Sequence, residues 1–406
     1  MRVLLLNDGS TPAGGAELQT LRLRELLGDA GHEVRLLSSR AAPEGGTPKA
    51  EVVCAGTTHP KLRVAGQTYN PSAALALRRE LHRFRPDVVH VRMMLTQLSP
   101  SVLPVLADVP AIWQIVYYKA ICPRGTKLLP DGSRCEVRAG TVCLANRCVT
   151  PQSWLLDMGQ QRLWRRWAHH LDAVVTLSDT MRRRLAESGV AEVGVIPNGV
   201  RERPMRPALR QPPTVIYAGR LAVEKGVDLL LHAFAHVLDR VPRARLLVAG
   251  DGPQRAELEH LRTRLGLDAS VRFLGHLDRE DVERHADDAW VQAVPGRWEE
   301  PLGNVTLEAM MRGSVPVVTN LGGPAEVVDH DETGTIVAAD SPEELAAGIT
   351  ALLTDADHCE AMARRARAVA MDRFAERRVV ARFEALYDEV RTHYPNADRT
   401  GKGTIT

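Results

Sequence analysis

The chain has 406 residues, 44% of them hydrophobic and 25% charged, with a formal net charge of +2. That length exceeds one ordinary core and points to two domains of roughly 200 residues each. The near-neutral balance excludes a global basic field for nucleic acid, and no apolar run reaches the roughly 18–20 residues that span a bilayer. Residues 1–7 form a short apolar run that enters a Gly-rich loop. They lack the basic n-region, long apolar h-region and cleavage site of a signal peptide. They read as a buried first strand, and the chain as a cytoplasmic protein.

Further strands are expected at 33–38, 87–91, 111–116 and 172–177, where unbroken apolar runs suit parallel strands buried on both faces. Helices are expected between them, at 15–30, 71–84, 154–170 and 179–188. The segment 197–213 holds five prolines and four arginines and reads as a linker. A second β-α series follows, with strands at 214–218, 245–249, 271–274, 290–294, 315–319 and 335–337. Three helical segments from 343 to 393 and a polar tail, 396–406, close the chain. Alternating β-α rhythm argues for two doubly wound parallel sheets, an α/β fold in which ligands sit outside the carboxyl ends of the strands.

Three stretches carry chemistry. In Glu299-Glu300-Pro301-Leu302-Gly303-Asn304-Val305-Thr306-Leu307-Glu308, a loop carboxylate precedes a helix start and a second carboxylate lies inside the helix. Free N–H groups and a partial positive charge at that helix start suit a phosphate. The carboxylates suit the vicinal hydroxyls of sugars and riboses. In Tyr217-Ala218-Gly219-Arg220-Leu221-Ala222-Val223-Glu224-Lys225-Gly226, two cations follow the first strand of the second series and suit a diphosphate. Asp8-Gly9-Ser10-Thr11-Pro12-Ala13-Gly14-Gly15 follows the first strand, and its paired glycines permit close backbone approach to a ligand. It is not the spaced G-x-G-x-x-G pattern of nicotinamide dinucleotide binders. Taken singly, each stretch has a plainer reading as surface charge on an amphipathic helix or as an ordinary solvated turn.

Taken together, and with Val195-Ile196-Pro197-Asn198-Gly199-Val200, Ala249-Gly250-Asp251-Gly252-Pro253 and Arg272-Phe273-Leu274-Gly275-His276, they resemble the retaining glycosyltransferases of family 4, of GT-B fold. The resemblance covers nearly the whole chain and is densest from 197 to 334. It implies two Rossmann-like domains facing across a cleft, 1–200 on the acceptor side and 201–375 on the nucleotide-sugar side, with a C-terminal helix, 376–395, returning to the first. It also implies that Arg220 and Lys225 hold the donor diphosphate, Glu300 the transferred sugar and Glu308 the ribose. Leu302, Gly303, Asn304 and Val305 would support the phosphates, Gly219 the turn beneath them, Gly275 and His276 the base, and Gly15 the loop that closes over the donor. Arg220, Lys225 and Glu300 become the catalytic candidates. In the implied front-face scheme the leaving diphosphate takes the acceptor's proton, so that no protein nucleophile is required. No Asp-x-Asp stands in a setting that suggests a metal-dependent GT-A site, so no catalytic metal or other cofactor is expected.

One departure concerns a histidine that relatives often carry just after the strand at 111–116. Here the run is Ile115-Val116-Tyr117-Tyr118-Lys119, and Val116 takes that place. Tyr117, Tyr118 and Lys119 are the candidates to replace the imidazole, unless donor preference differs. His90, at a strand end, is another candidate for that imidazole, with a structural histidine as its plainer reading.

Cys122, Cys135, Cys143 and Cys148 form a C-x12-C-x7-C-x4-C pattern in a loop rich in Gly, Pro and Arg. Three states are open: one structural zinc, two disulfides, or free thiols. Trp154, Trp164 and Trp167 lie beside Arg162, Arg165 and Arg166 on one helix. They suggest either a core-facing aromatic set or a peripheral contact with the inner face of a membrane. The leading function is sugar transfer from a UDP- or GDP-sugar to a hydroxyl acceptor: a glycan, a lipid-linked sugar or a natural product. A non-catalytic nucleotide-sugar-binding protein and another GT-B enzyme, such as an epimerase, are the competitors.

Overall fold

The computed structural model of the chain describes residues 1–12, 14–42 and 46–393; the tail expected from 396 lies outside them. The chain forms two compact units, one of Met1–Pro197 with the residues from Val379 onward, the other of Asn198–Arg378.

The first unit holds β1 (Arg2–Leu6), β2 (Glu33–Ser39), β3 (Val52–Cys54), β4 (Val88–Val91), β5 (Ala111–Ile115), β6 (Ala173–Thr176) and β7 (Val193–Val195). They run in the order β3-β2-β1-β4-β5-β6-β7, all parallel. Its helices are α1 (Gly15–Asp29), α2 (Pro60–Thr68), α3 (Pro71–Phe84), α4 (Val142–Ala145), α5 (Pro151–Trp167) and α6 (Asp179–Glu187). The expected strands form within a residue or two of their apolar runs. β3 and β7 were not expected, because three residues carry too little pattern to separate strand from loop. α2 was not expected either; its sequence, PKLRVAGQT, has no sustained apolar stripe.

The second unit holds β8 (Thr214–Ala218), β9 (Arg245–Ala249), β10 (Val271–Gly275), β11 (Val291–Val294), β12 (Val315–Thr319) and β13 (Thr335–Val337), with α7 (Val227–Arg240), α8 (Arg255–Arg264), α9 (Arg279–Ala286), α10 (Asn304–Arg312), α11 (Gly322–Val327), α12 (Pro342–Thr354) and α13 (Ala356–Val369). This sheet is also parallel, in the order β10-β9-β8-β11-β12-β13. Strand order therefore reverses between β1 and β4 in one sheet and between β8 and β11 in the other. A doubly wound sheet opens its ligand crevice at that reversal, beyond the carboxyl ends of the strands. Among the described residues no helix is long and apolar enough to cross a membrane.

The last helix, α14 (Glu376–His393), starts in the second unit and from Val379 belongs to the first. Its Val379, Phe383 and Tyr387 share a core with Val3, Leu5, Val88 and Ile112 of the first sheet. His90 of β4 meets it there, with Nδ1 2.7 Å from the Tyr387 hydroxyl and its ring 4.9 Å from that of Phe383. Burial, then the charge of Arg92, holds the His90 pKa well below its ordinary value. An unfolded histidine takes up a proton below about pH 6.5, whereas this one resists it. Its contribution to stability is therefore full above that pH and is lost as pH falls toward the depressed folded value. Urea unfolding should show a loss of about 1 kcal/mol between about pH 7.5 and about pH 5.5 that is absent in His90→Gln; equal losses in both proteins would remove His90 as the cause.

Candidate functional site

The reversal point of the second sheet is built from backbone. Gly219 and Gly250 follow directly on β8 and β9, and Gly275 ends β10; there the Gly219 amide donates to the Ala249 carbonyl (2.9 Å) and the Gly250 amide to that of Gly275 (2.8 Å). A Cβ on Gly250 would stand 1.9 Å from the Gly219 oxygen, so only glycine lets these strand ends approach so closely. The Gly219 amide is thus engaged by the neighbouring strand. Arg220 follows, exposed, its carbonyl accepting from the Tyr217 hydroxyl at 2.9 Å.

The chain then makes a short 3-10 turn, Val223–Lys225. Lys225 Nζ donates to Glu300 Oε1 at 2.8 Å, both side chains about one-fifth exposed (22% and 21%). Nζ also lies 5.4 Å from the Trp298 ring centroid, a favourable place for a cation. The two loops that carry this pair are tied together. Arg297 donates to both Asp228 oxygens, Nη2 at 2.7 Å, and to Asp340 at 2.9 Å, while its amide donates to the Glu224 carbonyl at 2.9 Å. A bidentate arginine–carboxylate pair fixes geometry as well as charge.

Beyond Glu300, Leu302 is buried at 3% exposure and Gly303, with φ of +77°, opens α10 without a side-chain cap hydrogen bond. The first-turn amides of α10, at Asn304 and Val305, carry the helix's partial positive charge at this edge of the sheet. Asn304 is held through its Oδ1, which accepts from Asn198 at 3.0 Å. Gly322 and Gly323 lie against the backbone of 299–302, where a Cβ on Gly323 would stand 2.3 Å from the Leu302 Cα. Glu308, one turn along α10, accepts from Arg279 Nη2 at 3.0 Å. Partial burial raises its carboxyl above the ordinary range; Arg279 and Arg203 pull it back, and Glu283 adds to the rise. His276 is exposed just past β10.

The sequence-predicted residues of the second half thus gather at one edge of one sheet. Arg297, Asp228, Trp298 and Arg279 were missed. The Gly322-Gly323-Pro324 run was a readable signal for close backbone approach, whereas nothing local marked the arginines.

Gly15 belongs to the first unit, where a Cβ on it would meet nothing within 4 Å. The reversal point there holds a cavity of about 570 Å³ lined by Asp8, Gly9, Glu17, Arg63, Thr96 and Gln97, among others. Asp8 accepts from the Thr96 amide and hydroxyl and from the Gln97 and Leu98 amides, at 2.7–2.8 Å. Burial, then Asp8, raises the Glu17 carboxyl. Of the three candidates to replace the histidine at Val116, Lys119 is taken up by Asp157 (3.0 Å) and the Pro123 carbonyl (2.6 Å), and Tyr118 is fully buried. Tyr117 keeps a buried hydroxyl with no hydrogen-bond partner among the described residues, close enough to Asp8 and Glu17 to feel both charges.

The six cysteines are unpaired, and among the described residues no group of three or more His, Cys, Asp or Glu is placed to hold a metal ion. Cys143 and Cys148 end α4 in a Schellman pair, the Cys148 amide donating to the Cys143 carbonyl at 2.9 Å. On α5, Trp164 is fully buried against Trp113, with ring centroids 5.4 Å apart, and Trp154 donates to the Gly140 carbonyl at 2.8 Å. Two of the three tryptophans are thus engaged by the protein itself.

Comparison with known proteins follows the same lines. The family described as "Glycosyl transferases group 1" matches residues 201–369, and "Glycosyltransferase Family 4" matches 13–203. A glycogen synthase of Mycobacterium tuberculosis is 27% identical, covering 90% of this chain and 89% of its own. A GDP-mannose-dependent phosphatidylinositol monomannoside mannosyltransferase of that organism is 31% identical over 52% of this chain and 60% of its own. Among solved structures, sucrose-phosphate synthase from Thermosynechococcus elongatus superposes with a TM-score of 0.71 at 20% identity, over 97% and 99% of the two chains. HepE of Anabaena, in complex with UDP and glucose, gives 0.68 at 20% identity, over 96% and 100%.

Proposed function

The chain belongs to the family 4 glycosyltransferases, of GT-B fold, and on that premise we propose that it moves a sugar from a UDP- or GDP-sugar to a hydroxyl acceptor with retention of anomeric configuration. The observation that carries this reading is the Lys225–Glu300 pair, 2.8 Å apart at the loop leading into α10. One member is a cation for a leaving diphosphate, the other a carboxylate for sugar hydroxyls. A UDP complex of HepE and the GDP-mannose named for the mycobacterial relative support a nucleotide-sugar donor.

In the proposed reaction the bond from the anomeric carbon to the diphosphate oxygen breaks with oxocarbenium character. Arg220, Lys225 and the α10 amides take up the charge that develops on the diphosphate. That diphosphate accepts the proton of the incoming hydroxyl on the same face, so retention needs no protein nucleophile. Because the protein supplies two cations and a helix start, no catalytic metal is required. The first unit's cavity, lined in part by Glu17, is proposed as the acceptor side, and the acceptor as a glycan, a lipid-linked sugar or a natural product.

The test is a panel of UDP- and GDP-sugars incubated with glycan, lipid-linked and natural-product acceptors, with the new linkage read by NMR and with chelator present. Retention and chelator-insensitive turnover are expected. Glu300→Gln should cut kcat/KM for the donor by about 10²-fold while leaving UDP or GDP affinity within a few-fold. Nucleotide binding without any release of nucleotide from donor would replace this reading with a non-catalytic binding protein.

A further inference from the structure

Glu308 is not free to meet a ligand unaided. Its Oε1 is taken by Arg279, the first residue of α9, three residues past the exposed His276. Arg279 is also drawn toward Glu283, its Nε 3.3 Å from Glu283 Oε1. Glu283, however, is already served by Arg203 at 2.8 Å and Arg312 at 3.5 Å. Two other arginines therefore answer the competing carboxylate, and the charge of Arg279 remains available to Glu308. Among the described residues, Glu308 Oε2 has no hydrogen-bond partner, and the Glu308 and Arg279 side chains keep 39% and 48% of their exposure. One carboxylate oxygen is fixed by the protein and the other faces outward.

We propose that Arg279 is a positioning residue for donor binding: it holds one oxygen of Glu308 and so fixes its rotamer, leaving the outward oxygen to accept from the ribose hydroxyls. This rests on reading Glu308 as the ribose-binding carboxylate. A ribose diol presents two O–H donors, which an ionised carboxylate accepts and a protonated one accepts poorly. The groups that face Glu308 are Arg279 and Glu283 of α9 and Arg203 of the segment before β8. Partial burial and Glu283 favour the protonated form; Arg279 and Arg203 oppose it. With Arg279 removed, protonation begins at higher pH, and nucleotide affinity falls where the wild type still binds.

The measurement is the affinity of the full chain for UDP and for GDP, by calorimetry, from about pH 5 to about pH 8. In the wild type, affinity should fall only toward the acidic end. In Arg279→Met that fall should move to higher pH by about one pH unit, with affinity at the alkaline end reduced only a few-fold. Arg279→Lys should return the profile close to wild type, and Glu308→Gln should bind weakly with no acid limb. Thermal melts confirm that each variant is folded, and Arg279→Gln, expected to move the acid limb as the methionine variant does, carries the test if that variant is not. If Arg279→Met loses the same factor at every pH, Arg279 touches the nucleotide itself and the proposal fails; an unmoved acid limb defeats it equally. A wild type that binds neither nucleotide sinks the functional reading first, an outcome distinct from a wild-type limb that Arg279→Met leaves in place.

Discussion

Lys225→Ala should lower the turnover of sugar transfer by about two to three orders of magnitude, the usual effect of removing one group that stabilises charge formed only in the transition state. The ammonium lies 2.8 Å from Glu300 and 5.4 Å above the Trp298 ring, on a loop whose partner is fastened by Arg297 to Asp228 and Asp340. It is therefore preorganised, and little rearrangement is required when a diphosphate arrives. Because the leaving group gains charge as the bond breaks, the loss should fall on kcat more than on donor KM. Stability should change little, since an ion pair that is still partly exposed contributes at most about 1 kcal/mol. Lys225→Arg is expected to restore only part of the rate, a planar fork being a poor substitute for a compact ammonium. A change confined to donor KM in Lys225→Ala would show that the lysine binds substrate and transition state alike.

The next residue gives the second large effect. Gly226 has φ of +66°, and a Cβ there would stand 2.0 Å from the Pro295 carbonyl oxygen. Gly226→Ala combines a left-handed backbone with a backbone clash that no rotamer relieves. Destabilisation on the order of 3 kcal/mol is expected, read by chemical denaturation. Gly15→Ala is the control, because its Cβ meets nothing within 4 Å; it should fall within about 0.5 kcal/mol of wild type. Similar values for both would mean that the loop before α7 yields, and that the close approach of 226 to 295 is not a fixed feature.

These two residues also mark what the sequence made legible. β8 and β12 coincide with their apolar runs because each is unbroken and flanked by turn-forming residues, whereas β3 and β7 are too short to announce themselves. Lys225 and Glu300 were readable because each sits in a dense local motif after a strand. Arg297 and Arg279 were not. Their partners lie 69 and 29 residues away, and an arginine on a helix or loop has no local mark that tells an ion-paired one from a solvated one. Tyr117 was readable only as one of three candidates, and it was the burial of its neighbours that separated them.

The split membership of α14 bears on synthesis. All 181 residues of the second unit (378 − 198 + 1) are made before Phe383 and Tyr387 exist. At about 5–20 residues per second, the first sheet waits roughly 10–40 s on the ribosome with an apolar flank still bare. The N-terminal half is thus the first to be translated and the last to be finished, and its nascent form is the stage most exposed to chaperones and to misassembly.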